Sequence, residues 1–234
     1  MRFMVSSVSF TFCSWNVRGL GDNKKCANVL SELLSLNPSA VLIQESKLSD
    51  ITPFKAYSFL PRSLDHFNFK AAVGSAGGMV SAFSSSHFNI SQSTQQSYCL
   101  SNFVDTLADP SPIKITNVYV PTDHSLKDDF LLALTNDAPD AQTPWIIMGD
   151  FNLLRSHEDK NSGSFRQAEA DKFNDTINAL ALLELPLLDR RFTWTNNRES
   201  PILEKIDRVF INNAWNTCFP NFNLSSLTRF TSDH

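Results

Sequence analysis

Two short apolar runs, each followed closely by a carboxylate, constrain the fold of this chain most. The run Ala40–Ile43 ends two residues before Glu45, and the run Trp145–Met148 ends two residues before Asp150. Continuous apolar runs this short are typical of strands that an α/β protein buries on both faces. Because ligands bind beyond the carboxyl ends of such strands, the two carboxylates are predicted to lie at one site.

The rest of the chain alternates helix and strand patterns. Apolar residues recur at helical spacing within residues 22–37, 126–134 and 170–181. Further strands are predicted at Val8–Trp15, Met79–Phe83, His87–Ser93, Tyr98–Leu107, Ile113–Val120, Phe192–Thr195, Lys205–Ile211 and Leu224–Phe230. No repeat or linker interrupts the pattern, which predicts one α/β domain over residues 1–234 with its helices on the outside.

Length and composition exclude several classes of protein. A chain of 234 residues buries a sizeable core without disulfides or metal, and its net charge of −4 leaves only a local site for binding a polyanion. The four cysteines are dispersed and lack zinc-ligand spacing, which predicts reduced thiols in an intracellular protein. No apolar run approaches the roughly 18 residues of a membrane span. Serines interrupt residues 1–15, which are therefore interpreted as a strand rather than as a signal peptide.

Polar residues lie at or just after the ends of four of the predicted strands. Asn16 follows the first, Glu45 the second, and Asp150 and Asn152 the run at 145–148, while Tyr119 lies late in its own strand. A single carboxylate after a strand is more often a turn residue or a helix cap than part of a site. The prediction of a site therefore depends on the four strand ends converging.

Seven segments in a fixed order carry more information than any of these residues alone. They are Ser14–Leu20 (SWNVRGL), Gln44–Lys47 (QESK), Asn117–Pro121 (NVYVP), Gly149–Asn152 (GDFN), Phe192–Thr195 (FTWT), Ile206–Arg208 (IDR) and Ser232–His234 (SDH). From the first segment to the last, the chain resembles the endonuclease/exonuclease/phosphatase superfamily, which includes DNase I. Its WNxRGLG opening and its FTWT and LEKIDR segments are most similar to the endonuclease domain of plant LINE-type (non-LTR) retrotransposons.

The resemblance implies a fold, an activity and partners. The fold would be a four-layer α/β/β/α sandwich, with two packed mixed β-sheets flanked by helices. The activity would be metal-dependent nicking of double-stranded DNA, leaving a 3′-hydroxyl that a reverse transcriptase domain of the parent element uses as a primer. A monomer acting in the nucleus, without any membrane association, is expected.

The proposed chemistry requires a hard cation to neutralise the phosphate. Mg²⁺ prefers carboxylate oxygens and keeps several waters, and Mn²⁺ is a possible substitute. Glu45 is the first predicted ligand, with Asp233 and Asn16 near the ion or orienting its ligands.

Hydrolysis also needs a proton acceptor and donors to the phosphate. Asp150 and His234 are both candidates to align and deprotonate the attacking water, and the sequence leaves the choice between them open. Asp207 is predicted to hold the histidine tautomer through the other ring nitrogen. Asn152 and Tyr119 are predicted to donate to oxygens on which charge builds up in the transition state.

Four further residues are predicted to contact DNA. Arg18 and Arg208 are candidate phosphate contacts, and Thr193 and Trp194 are expected in the wall that receives DNA, with core packing as the alternative for Trp194. Target preference is expected to depend on two surface loops, His157–Phe165 and Thr195–Pro201.

The sequence departs from the superfamily pattern at two positions. Apurinic/apyrimidinic endonucleases typically carry an acidic residue where this chain has Arg18, which argues against abasic-site repair. The chain also ends at His234, where relatives continue into a final strand. We therefore expect a domain truncated at the SDH motif, with a frayed site and an imidazole pKa raised by the terminal carboxylate.

Two other functions remain open at this stage. One is a different phosphoesterase of the same superfamily, acting on inositol phosphates, sphingomyelin or RNA tails through the same site. The other is a catalytically inactive DNA-binding relic, which the expected truncation favours.

Overall fold

Two six-stranded sheets form the centre of the molecule. The structure is a computed structural model that describes residues 2–6, 10–74, 76–107 and 111–227. Its strands are β1 (Arg2–Ser6), β2 (Thr11–Asn16), β3 (Ala40–Gln44), β4 (His66–Val73), β5 (Ala76–Phe83), β6 (Phe88–Gln95), β7 (Cys99–Thr106), β8 (Pro112–Tyr119), β9 (Trp145–Asp150), β10 (Leu183–Glu184), β11 (Trp194–Thr195), β12 (Leu203–Glu204), β13 (Asp207–Ile211) and β14 (Asn223–Ser226). Its helices are α1 (Asn23–Leu36), α2 (Pro53–Ala56), α3 (Lys127–Asn136), α4 (Gln167–Ala179) and α5 (Asn213–Cys218).

Both sheets are mixed. The first has the order β14-β1-β2-β3-β5-β4 and the second the order β10-β13-β9-β8-β7-β6, while β11 and β12 form a separate two-stranded ribbon. The pairs β2–β3 and β8–β9 are parallel, and the other pairs are antiparallel. The two apolar runs of the sequence are therefore the central strands β3 and β9. Each is paired with a parallel strand, so the carboxyl ends of both strands in the pair lie at the same edge of the sheet.

Three apolar clusters build the layers. Between the sheets, aromatic side chains such as Phe12, Phe88 and Trp215 pack with aliphatic residues from both inner faces. The outer face of the first sheet packs against α1, and the outer face of the second against α3 and α4. This is the predicted four-layer α/β/β/α sandwich.

Local sequence explains the limits of α1. Asp22 is its N-cap, and its carboxylate accepts from the backbone N–H groups of Lys24 and Lys25. Asn37 ends the helix in the left-handed conformation, with φ of 44°. The buried face consists of Cys26, Val29 and Leu33, at the spacing that predicted the helix.

Several elements differ from the sequence-based predictions. Strand β4 was not predicted, and the predicted strand at 192–195 shortens to the two residues of β11. The strand predicted at 224–230 is β14 in its described part, and the SDH segment lies outside the described residues. Of the four cysteines, three are buried free thiols whereas Cys218 is exposed. Within the described ranges, no helix is long and apolar enough to cross a membrane.

Candidate active site

The predicted strand ends meet at one edge of the sandwich. In the first sheet, Asn16 at the end of β2 is in register with Gln44 at the end of β3. In the second sheet, Asp150 at the end of β9 is in register with Tyr119 on one side and with Asp207, at the start of β13, on the other. The topology therefore brings residues from five strands to the same edge.

The side chain of Asn16 joins the two sheets. Its Nδ2 donates to Glu45 Oε1 at 3.0 Å and to Asp150 Oδ2 at 2.9 Å. Its Oδ1 accepts from the backbone N–H of Arg18 at 3.1 Å. Because Asn16 is fully buried, these bonds set the separation of the two carboxylates. One amide thus connects the predicted metal ligand to the predicted proton acceptor.

Glu45 lies in a backbone conformation that its neighbours hold in place. Its φ is +51°, in the left-handed region that non-glycine residues rarely adopt. Its carbonyl accepts from Gly19 N–H at 2.6 Å, and the following residue Ser46 donates its N–H to the Gly78 carbonyl at 3.0 Å. Gly78 has φ of +83°, and a Cβ there would lie 2.4 Å from Ser46 Oγ and 3.2 Å from the backbone N of Lys47, so a side chain at this position would be strained. Such strained residues, fixed by their surroundings, cluster at functional sites.

The Tyr119 side chain lies close enough to Glu45 and Asp150 to be affected by the charge of both carboxylates. Its side chain shares a hydrogen bond with Glu45. Burial, followed by the negative charges of Glu45 and Asp150, raises the pKa of Tyr119. The phenol is therefore held in its protonated form, in which it can donate a hydrogen bond.

Asp150 is a buried carboxylate beside a second acid. It is 1% exposed, and its Oδ1 accepts from the Asn152 N–H at 3.0 Å. Burial and the nearby charge of Asp207 raise its pKa well above the ordinary value for aspartate. A carboxyl group with a raised pKa holds a proton at a higher pH than a solvated aspartate does, which is the property required of a proton acceptor.

Gly149 permits the close pairing that places Asp150. Its φ is +149°, and a Cβ at this position would lie 2.0 Å from the carbonyl oxygen of Val118 on the adjacent parallel strand. Any side chain here would push β8 and β9 apart. The register of Tyr119 with Asp150 therefore depends on this glycine.

Asn152, like Glu45, has a left-handed backbone, with φ of 46°. Its Nδ2 donates to the Val120 carbonyl at 2.7 Å. Its own carbonyl accepts from Lys127 Nζ at 2.9 Å. The turn after β9 is thus tied to the segment after β8 and to the start of α3.

Thr193 positions Asp207 instead of facing DNA. Its side chain is fully buried, and its Oγ1 accepts from the backbone N–H groups of Ile206 and Asp207, each at 3.0 Å. The expectation that Thr193 forms part of a DNA-binding wall is therefore corrected. Trp194, the next residue, is partly buried and pairs with Glu204 in the ribbon; its contact with DNA stays a prediction.

Arg208 belongs to a buried ion cluster. Its side chain is 1% exposed and ion-paired with Glu184 at 2.7 Å and with Asp159 at 2.5 Å. A guanidinium enclosed in this way does not reach a DNA phosphate, so the predicted phosphate contact is corrected. Arg155 and Lys205 also bind Glu184. Burial alone would raise the pKa of Glu184, but Arg208 and Lys205 outweigh it and lower that pKa to about 2.

Three predicted site residues remain, namely Asp233, His234 and Arg18. Asp233 and His234 lie outside the described residues. Arg18 is partly buried with φ of +53°, and its carbonyl accepts from Lys25 Nζ at 3.3 Å.

In the part of the chain that the structure describes, no three His, Cys, Asp or Glu side chains are grouped as metal ligands. Glu45 accepts a hydrogen bond from Asn16, and the metal site at these residues stays a prediction.

Residues 13–234 match the model of the Endonuclease/Exonuclease/phosphatase family. The chain belongs to this family. Among curated proteins, none matches it.

Solved structures share the fold of this family member at low sequence identity. The AP endonuclease LMAP from Leishmania major has a TM-score of 0.66 at 16% identity, covering 91% of this chain and 80% of that one. The endonuclease domain of TRAS1, a telomere-specific non-LTR retrotransposon, has a TM-score of 0.62 at 16% identity, covering 86% and 84%. The catalytic domain of human Nocturnin has a TM-score of 0.59 at 14% identity, covering 89% and 84%. These likenesses establish the DNase I-like fold.

The sequence analysis assigned no role to the side-chain amides of Gln44 and Asn117, which lie near the candidate active site of this family member. Gln44 Nε2 donates to Asn117 Oδ1 at 2.7 Å and to Ser14 Oγ at 3.1 Å. Asn117 Nδ2 donates to the carbonyls of Ile43 and Val80 at 3.1 and 3.0 Å. Both amides are buried. A buried amide requires hydrogen-bond partners, and this requirement was the available signal that the two sheets are cross-linked here.

A cavity of about 270 Å³ opens beside Asn152. Its lining includes Lys160, Ser164 and Phe165 of the loop predicted to set target preference. The Phe165 ring packs on His157, with 4.2 Å between the ring centroids. The cavity thus places part of that loop next to the candidate active site.

Proposed function

We propose that this chain is a Mg²⁺-dependent endonuclease that hydrolyses one strand of double-stranded DNA. The observation that carries the proposal is the Asn16 amide, which binds Glu45 at 3.0 Å and Asp150 at 2.9 Å. This amide supports the proposal because it binds both the carboxylate proposed to hold the cation and the carboxylate proposed to accept the proton, and phosphodiester hydrolysis combines these two functions.

The donor set fits Mg²⁺. This ion is bound through one or two carboxylates and retains several waters, and Glu45 is a partly exposed carboxylate at the edge of the site. Asn16 Nδ2 donates to Glu45 Oε1, and Lys47 Nζ lies 3.6 Å from Glu45 Oε2. Glu45 would hold the ion together with waters, Asn16 would orient Glu45, and Asp233 stays a predicted additional ligand. When bound, the cation would neutralise charge on the phosphate.

The protein's own groups account for the other parts of the reaction. A water oxygen attacks phosphorus, and its proton passes to Asp150 or His234. The bond from phosphorus to O3′ breaks, and the departing O3′ oxygen takes up a proton from solvent, which leaves a 5′-phosphate and a 3′-hydroxyl. The high pKa of Asp150, caused by burial and by Asp207, favours its taking this proton. The protonated Tyr119 and the amide of Asn152 would donate to phosphate oxygens as charge develops on them.

A retrotransposon role is the finer part of the proposal. Its support is the order of the sequence segments and their resemblance to plant LINE-type endonuclease domains; the similarity to the TRAS1 domain supports the fold alone. In this role the 3′-hydroxyl would prime a reverse transcriptase of the parent element in the nucleus. Arg18, in place of an acidic residue, favours this role over abasic-site repair.

The test is nicking of supercoiled plasmid with Mg²⁺, with EDTA and with the Asp150→Ala variant. Nicking is expected to require the metal and to disappear in the variant. Asp171→Ala, which removes an exposed carboxylate on α4, should nick at the wild-type rate. Absence of nicking by the folded protein in Mg²⁺ or Mn²⁺, or nicking that survives Asp150→Ala, would overturn the proposal. Hydrolysis of an inositol phosphate or a phospholipid, with DNA left intact, would assign the site to another phosphoesterase.

A further inference from the structure

Lys127 occupies a costly position that the reaction described above does not use. It is the first residue of α3, and it is only 2% exposed. A cation at a helix N-terminus opposes the helix dipole, and burying an ammonium group carries a further cost unless its donors are satisfied. Compensating contacts must therefore hold it there.

Those contacts join the two segments that carry the proposed phosphate donors. Lys127 Nζ donates to the Pro121 carbonyl at 2.6 Å and to the Asn152 carbonyl at 2.9 Å. Pro121 lies two residues after Tyr119. The ammonium is thus a bridge between the chain leaving β8 and the chain leaving β9.

Of the two proposed phosphate donors, Tyr119 and Asn152, it is Asn152 that has a strained backbone and accepts a hydrogen bond from Lys127. Asn152 has φ of 46°, a conformation that persists only where the surroundings fix it. Its N–H is bound by Asp150, its side chain by the Val120 carbonyl and its carbonyl by Lys127. The carboxamide has two N–H donors, and the Val120 carbonyl accepts one of them.

The ammonium remains charged at neutral pH. Burial lowers the pKa of Lys127 to about 8, while Asp150, Glu169 and Asp123 act in the opposite direction. At pH 7 the group is therefore mainly protonated and has three donors. Since hydrogen bonds from charged donors are stronger than neutral ones, Lys127 is suited to fixing a strained turn.

We propose that Lys127 is a positioning residue, whose ammonium holds Asn152 in the left-handed conformation that aims its second amide N–H at the scissile phosphate. The inference rests on the proposed phosphodiester hydrolysis, and it adds a residue outside the seven sequence segments to the machinery. Lys127 itself touches neither substrate nor metal; it acts through Asn152.

The first experiment is a double-mutant cycle on the rate of plasmid nicking. Lys127→Met should lower kcat at least about tenfold with KM changed less than about twofold, because a misplaced transition-state donor costs rate and not ground-state binding. Lys127→Arg, which keeps charge and donors, should recover part of that loss. In an Asn152→Ala background, Lys127→Met should have little further effect. An equal loss in both backgrounds, or no loss in either, would overturn the inference.

Two controls separate positioning from general damage. Lys172→Met removes an exposed charge on neighbouring α4, where Lys172 binds Asp128 at 2.6 Å, and it should leave kcat unchanged. If Lys127→Met fails to fold, Lys127→Gln provides the same comparison, because glutamine keeps a donor but loses the charge.

A second readout needs no activity and so separates failure of this inference from failure of the proposed function. The side-chain amide of Asn152, assigned in NMR spectra by its disappearance in Asn152→Ala, should give one sharp pair of signals in the wild type. Lys127→Met should shift or broaden that pair, and Lys172→Met should not. If the wild type does not nick DNA, the proposed function fails, yet the amide signals still decide whether Lys127 fixes Asn152. Unchanged signals in folded Lys127→Met would reject the bridge.

Discussion

The buried Asp150 and the half-buried Glu184 are carboxylates on the two strands that flank β13, yet their surroundings differ in charge. Glu184 binds Arg208, Arg155 and Lys205, and its pKa falls to about 2. Asp150 has amide and backbone N–H donors and lies beside the acid Asp207, and its pKa rises. The first arrangement favours the charged form and stabilises the fold. The second disfavours the charged form, as is expected where a group exchanges a proton during a reaction.

The largest expected effect comes from neutralising Asp150. Asp150→Asn keeps the shape of the side chain but cannot accept a proton, so nicking should fall by roughly 10³-fold or more if Asp150 is the acceptor. Its thermal midpoint should change little, because removal of a desolvated charge next to Asp207 offsets the loss of one of the two N–H bonds that the carboxylate accepts. Plasmid nicking and thermal unfolding monitored by circular dichroism measure the two effects. A loss of both activity and several degrees of stability would mean that Asp150 is structural, like Glu184.

Neutralising Glu184 should have the opposite pattern. Glu184→Gln is expected to lower the free energy of unfolding by about 3 kcal/mol at pH 7, the value of a pKa shift from 4.5 to about 2. The nicking rate per folded molecule should stay near the wild-type value. Urea unfolding at pH 7 gives the free energy, with the exposed Glu199→Gln as the matched control.

The same variant has a defined pH dependence. Because the folded-state pKa of Glu184 is depressed, its contribution is fully present above the unfolded pKa of 4.5 and is lost as pH falls through the folded pKa of about 2. The stability difference between wild type and Glu184→Gln should therefore shrink between pH 4.5 and pH 2. A difference that stays constant over this range would contradict the assignment of the ion cluster.

A smaller effect is expected at the junction of the two regions. Thr193→Val keeps the volume of the side chain but removes the acceptor for the N–H groups of Ile206 and Asp207. We expect stability to fall by about 2 kcal/mol and nicking to fall about tenfold as Asp207 shifts. Thr195→Val, two residues further along the chain, removes a bond from the N–H of Asn197, and it should nick normally. Equal activities of the two variants would show that Thr193 does not position the site.

The smallest expected effect is at Arg18. If it contacts a DNA phosphate, Arg18→Ala should raise KM a few-fold and reduce the slope of log affinity against log salt by about 1, without changing kcat. Nicking measured at several salt concentrations provides the slope, with the exposed Arg62→Ala as control. An unchanged slope would remove Arg18 from the DNA-binding surface.

Sequence reasoning succeeded where local pattern determines structure. The apolar runs before Glu45 and Asp150 are the central strands β3 and β9, and the cap residue Asp22 begins α1. The convergence of Asn16, Glu45 and Asp150 followed from the rule that ligands bind at the carboxyl ends of strands.

It failed where burial and distant partners decide a residue's role. Arg208 was interpreted as a DNA contact because no local pattern reveals that Glu184 and Asp159, 24 and 49 residues away, enclose it. Lys127 was overlooked for the same reason, since its acceptors are main-chain carbonyls, which leave no mark in the sequence.

The backbone contact at Gly149 restricts how this protein can evolve. A methyl group there would lie 2.0 Å from the Val118 oxygen, whereas nothing lies within 4 Å of a methyl group built at Gly21. Two glycines that look alike in a sequence thus differ completely in mutational freedom. A side chain at position 149 would force the backbones of β8 and β9 apart, whereas position 21 has room for one.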